Sequence, residues 1–131
     1  IFSVFHNRIG RNMRLQSDPT IIYGILEATG EYRKNITRED IENHSAYNTY
    51  RVNGLPKGPI GNPGREALLA TLKPADSGFL YFVSRNDGTH VFSETLQQHN
   101  KAVKDFQLNR RAREGKSWRD LEENQRANKR K

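Results

Sequence analysis

The sequence predicts an α+β fold: short helices around a small antiparallel sheet, with a C-terminal helix and a basic helical tail. Three observations point to it. Apolar residues recur at helical spacing in several short segments bounded by capping residues or proline. One stretch, GFLYFVSRNDGTHVFS, carries two aromatic and β-branched runs on either side of Asn86-Asp87-Gly88, which is hairpin turn chemistry. Beyond Phe106 the apolar residues thin out and the helical pattern becomes polar all round.

Taken in order, Ile1, Phe2, Phe5 and Ile9 fall at helical spacing and read as the last turns of a helix. In QSDPTIIYGILEAT, Ser17 or Asp18 is the expected N-cap, with Pro19 at the first helical position. Thr37 followed by Asp40 three residues later forms a capping box opening a short helix to about Asn43. A glycine- and proline-rich loop, SAYNTYRVNGLPKGPIGNPG, spans residues 45–64. Asn62-Pro63 is expected to cap a helix carrying Leu68, Leu69 and Leu72, which Pro74 ends. After the hairpin, Leu96, Val103 and Phe106 mark another helix. Gly115 should break it, and Ser117 with Asp120 would cap a last, charged one.

Length and composition bound the rest. The 131 residues suffice for one domain with one core, and the mean hydropathy of -0.92 reflects the polar end of the chain. Eleven Lys/Arg and ten Asp/Glu lie in residues 1–100, against eleven and five in residues 101–131. Most of the net charge of +7 therefore belongs to the tail. There is no cysteine, which excludes disulfides, thiol chemistry and thiolate-bound zinc. No apolar run approaches the ~20 residues that cross a bilayer, and no signal peptide is visible. The absence of an initiator Met before Ile1-Phe2 reads as the start of a fragment.

The 45–64 loop holds more than a linker needs. Asn48, Thr49 and Asn62 offer amides and a hydroxyl, while Tyr47 and Tyr50 offer flat faces with polar tips. That is the chemistry of a sugar site, because hydroxyls need donors and acceptors and a pyranose face packs on an aromatic ring. The other reading is that these residues brace a long crossover. Gln16 and Asp18 similarly read either as substrate contacts or, for Asp18, as a helix cap. His6, His44, His90 and His99 form no metal-ligand pattern, so no metal is expected. His90, just after the hairpin turn, reads either as a site residue or as a hydrogen-bonded structural histidine. Glu27, Glu31, Glu39, Glu42, Glu66 and Glu94 all stand in polar contexts, and none has the protected setting of a catalytic acid. The tail is basic but has Trp118 as its only aromatic, and its acidic residues oppose phosphate binding. No nucleic-acid partner is expected.

The ordered blocks VFHNRI, MRLQSDPTIIYG, SAYNTY, GLPKGPIGNPG, LYFVSRNDGTHVFS and QQHNKAV resemble the endolytic murein transglycosylases, the YceG-like family, over about residues 2–106. Ala46 and Lys57 depart from the family pattern, each standing where proline is common. The resemblance implies the C-terminal part of a catalytic domain in residues 1–106, with residues 107–131 as a basic extension. It implies a parent protein anchored by one transmembrane helix, acting outside the cytoplasmic membrane on peptidoglycan glycan strands, with cell-wall synthases as possible partners. It also implies cleavage of the β-1,4 bond between N-acetylmuramic acid and N-acetylglucosamine to leave 1,6-anhydro ends. The acid would be a glutamate upstream of Ile1. Gln16, Asp18, Tyr47, Asn48, Thr49, Tyr50, Asn62 and His90 are the expected substrate-binding residues, facing sugar or holding the acid's surroundings. No cofactor is implied. The family has also carried the label aminodeoxychorismate lyase, but no phosphate-binding loop supports it. The remaining alternative is a non-catalytic peptidoglycan-binding module.

Overall fold

The structure is a computed structural model and describes residues 1–108. The elements run α1 (Phe2–Gly10), α2 (Asp18–Thr29), α3 (Arg38–Glu42), α4 (Arg65–Leu72), β1 (Tyr81–Ser84), β2 (His90–Ser93) and α5 (Leu96–Val103). A wider π turn over Lys104–Leu108 follows α5. Helices with a two-stranded antiparallel sheet make this the predicted α+β class. Two compact units divide the chain, one over Ile1–Asp76 and the other from Ser77 onward. The expected helix break at Gly115 and cap at Ser117, like almost all of the 107–131 extension, lie outside the described residues.

In the first unit the core gathers Val4 from α1, Leu15 from the strap after it, Ile21 and Ile25 from α2, and Tyr47 from the long loop. Val4 and Ile21 are 1% and 2% exposed. Each contributes about 1.5–3 kcal/mol relative to solvent exposure. Arg8 is buried beside them, and its Nη1 donates to the carbonyls of Arg14 and Leu15 at 3.0 and 3.2 Å. These bonds fix the strap that leads from α1 into α2. Within that strap Asn12 and Gln16 have positive φ, 55° and 50°.

Three helix starts differ in how they are made. Ser17 takes the N-cap position of α2 without a side-chain cap bond, so Pro19 is the second helical residue and Asp18 the first. Capping is therefore not what Asp18 does. Thr37 and Asp40 form the reciprocal capping box expected of α3. For α4 the N-cap is Gly64 with extended backbone, not Asn62-Pro63. Proline disfavours helical angles in the residue before it, which holds Asn62 out of the helix. The α4 leucines Leu68, Leu69 and Leu72 remain exposed. Between α2 and the loop, a Cβ on Gly24 would stand 2.7 Å from Ser45 Oγ and 3.3 Å from Tyr47 Cβ, so glycine permits this close approach.

The second unit pairs Tyr81 with Ser93, Phe82 with Phe92, Val83 with Val91 and Ser84 with His90. Asn86 and Gly88 take the positive φ values, 63° and 90°, that the turn requires. Thr95 and Gln98 cap α5 reciprocally. The Tyr81 ring stacks on His99 at 5.1 Å, which sets α5 against the sheet. Asn86 Nδ2 donates to the Phe106 carbonyl at 2.8 Å, tying the turn to the end of the helix.

Candidate functional site

The middle of the long loop points inward. Asn48 is 1% exposed, and its Nδ2 donates to the carbonyls of Ile41 and Asn43 at 2.9 and 2.7 Å. Its Oδ1 accepts from the Tyr50 N–H at 3.0 Å. One side chain thus closes the turn after α3 and the turn it sits in. Thr49 is 0% exposed; its Oγ1 accepts from the Ser17 N–H at 2.9 Å and lies 2.8 Å from Thr20 Oγ1. Thr20 already donates to the Ser17 carbonyl at 2.6 Å, so the Thr49 hydroxyl donates to Thr20. The Thr49 carbonyl accepts from the Gln16 N–H at 3.2 Å. Tyr47 is buried against Tyr23, with ring centroids 4.9 Å apart. Bracing is the visible work of all three.

What they brace is a small polar surface. Gln16 and Asp18 are exposed, and Tyr50 is half-buried beside them. The Tyr50 hydroxyl donates to Asp18 Oδ1 at 2.5 Å. Burial foremost, then this hydrogen bond and the carboxylate's charge, push the Tyr50 hydroxyl well above its ordinary range; the charge of Arg8 opposes them. Tyr50 is therefore a neutral donor at any physiological pH. Arg14 adjoins the pair, its Nη1 donating to the Tyr50 carbonyl and its Nε to Asn53 Oδ1, both at 3.3 Å. A carboxylate and a phenol thus meet at the tip of the Tyr50 side chain, and a guanidinium and an amide meet at its backbone. Such a set satisfies neighbouring sugar hydroxyls in both donor and acceptor roles.

Two expected site residues stand elsewhere. Asn62 is exposed ahead of α4, and among the described residues no hydrogen bond links it to the Asp18–Tyr50 pair. His90 belongs to the second unit, where its ring lies 5.8 Å from Phe82 and 6.3 Å from Phe92. A hollow of about 460 Å³ in that unit is walled by Phe79, Val91, Phe92, Ala102 and Phe106 and touches none of the expected site residues. Glu27, Glu31, Glu39, Glu42, Glu66 and Glu94 are all exposed. Among the described residues the buried acid is Asp40, and it is held by Thr37 and Arg33. Among the described residues no group of three or more metal-ligating side chains occurs. Arg14, Asn53 and Thr20 were not singled out by sequence. Their partners lie 29 to 39 residues away, and local pattern carries no trace of such pairings.

The fold is α+β with a braced polar patch beside the start of α2, and comparison supplies the family. Residues 1–105 match the YceG-like family. The chain belongs to that family. It is 42% identical over 106 residues to an endolytic murein transglycosylase of Bacillus subtilis, covering 81% of this chain and 28% of that protein. It is 33% identical over 109 residues to the endolytic murein transglycosylase of Streptococcus pneumoniae, covering 79% of this chain and 19% of that one. The crystal structure of a yceG-like protein from Listeria monocytogenes aligns with a TM-score of 0.65 at 47% identity, over 76% of this chain and 30% of that chain. The chain thus spans less than a third of the length of each of these relatives.

Proposed function

We propose that this chain forms part of an endolytic murein transglycosylase and contributes glycan-binding surface to it. The observation that carries the reading is the family match over residues 1–105, together with relatives that bear that name. The exposed Gln16–Asp18–Tyr50 patch supports it, being chemically suited to sugar hydroxyls. In this reading Tyr47, Asn48 and Thr49 hold the wall behind that patch.

The reaction is an intramolecular displacement. A glutamate outside this chain protonates the glycosidic oxygen between N-acetylmuramic acid and N-acetylglucosamine as that bond breaks. The muramyl 6-hydroxyl closes on the anomeric carbon and returns its proton to the same carboxylate, so no water is consumed. No glutamate among the described residues has the shielded setting of a general acid, which supports placing the acid elsewhere in the whole protein. The setting of the reaction is the outer side of the cytoplasmic membrane, with the whole protein anchored there and cell-wall synthases as its partners. Within this chain no described helix is long and apolar enough to cross a membrane.

Mass spectrometry of peptidoglycan digested by the full-length protein tests this. Products ending in 1,6-anhydro-N-acetylmuramic acid are expected, lighter by one water than hydrolytic ends. Reducing ends would make the protein a hydrolase. Binding without cleavage by the full-length protein would reduce it to a glycan-binding module.

A further inference from the structure

Arg14 is exposed yet held. Its Nη1 is fixed on the Tyr50 carbonyl and its Nε on Asn53 Oδ1. No ion pair among the described residues includes it. An exposed arginine ordinarily gives up rotamer entropy when it grips a ligand. Here part of that ordering is already made, which lowers the cost of using the fork. Among the described residues its remaining donors have no partner, and Tyr50, whose carbonyl it holds, links it to Asp18. A planar guanidinium matches a carboxylate better than a neutral hydroxyl.

We propose that Arg14 is a specificity-determining residue that binds a carboxylate of the glycan strand, through its Nη2 and the outer N–H of Nη1. This rests on the glycan reading above. Two carboxylates share the required chemistry: the muramyl lactyl group, free where the stem peptide is absent, and the acidic groups of the stem peptide itself. The Asp18–Tyr50 pair faces the sugar, and Arg14 reads the acid attached to it.

The test compares four soluble glycan preparations: peptide-bearing strands, strands with the peptides removed and the lactyl carboxylate free, and each of these with every carboxyl converted to a neutral amide. Binding to this 131-residue chain is measured directly, and anhydro-end formation is followed with the full-length protein. The unaltered chain should bind its preferred carboxylate form about tenfold more tightly than the amidated one, as a charge-assisted contact implies. Arg14→Gln should reduce that ratio to about twofold or less. Asn53→Ala, which keeps the charge and loosens the fork, should give an intermediate ratio, and circular dichroism of both variants checks their folding. The preferred form says which carboxylate Arg14 reads. An undiminished ratio in folded Arg14→Gln, or equal binding of acid and amide by the unaltered chain, overturns the assignment. Carboxylate-dependent binding without anhydro products would leave Arg14 assigned and overturn the transglycosylase reading. Anhydro products with carboxylate-independent binding would do the reverse.

Discussion

Asn48 joins three backbone atoms, and Thr49 bridges the loop to the first turn of α2. Removing the amide takes its bonds from two carbonyls and an N–H that are only partly buried, so water replaces part of a loss of about 1–3 kcal/mol per group. Asn48→Ala should therefore lower the stability of the chain by about 2–4 kcal/mol, read as a fall in denaturant midpoint with unchanged slope. A midpoint within error of the parent would show that the amide is dispensable to the loop. The residue types of the loop were legible as polar and aromatic chemistry. Which of them face inward was not, because Asn and Thr in a glycine-rich stretch serve buried turns and open binding surfaces equally well.

At the scale of elements, local signals served best where the partners are close in sequence. The capping boxes of α3 and α5 join residues three apart, and the β1–β2 turn closes over Asn86 and Gly88. The start of α4 was less legible, since Asn62-Pro63 and Gly64 both carry capping chemistry and only the backbone angles decide between them. The α3 box has a measurable acid signature. The Thr37 backbone N–H is the main cause that holds the Asp40 carboxyl below its ordinary value of 3.8; burial opposes it, and the Thr37 side chain and Arg33 add to it. A lowered native value means the group stabilises the fold fully above about pH 4, and that this contribution is lost as pH falls through the native value. Asp40→Asn should flatten the acid limb of a stability–pH profile below pH 4. A limb as steep as the parent's would mean that other carboxyls set it.

For the whole molecule, charge and fold are distributed differently. Nine Lys/Arg and four Asp/Glu lie in residues 109–131, so removing them takes the net charge from +7 to +2. A chain ending at Leu108 should elute from a cation exchanger at distinctly lower salt than the full chain, and its binding to anionic vesicles should be weaker and less salt-sensitive. Equal elution would place the dominant cationic surface within residues 1–108, where Arg11 and Arg14 are exposed. The division at Asp76 was not legible in sequence. A single proline-containing stretch, KPADSG, reads as the end of a helix as readily as the edge of a compact unit.

The left-handed backbone of Gln16 sets a trap for protein engineering. A side chain at that angle costs about 1–2 kcal/mol that glycine would not incur. Replacing Gln16 by glycine should raise the melting temperature or leave it unchanged, while removing an amide from the patch proposed to meet the glycan. A screen that ranks variants by thermal stability alone would promote this substitution, and a screen for glycan binding would discard it. If Gln16→Gly binds glycan as the parent does, the amide is idle and the angle serves only to steer the chain into α2.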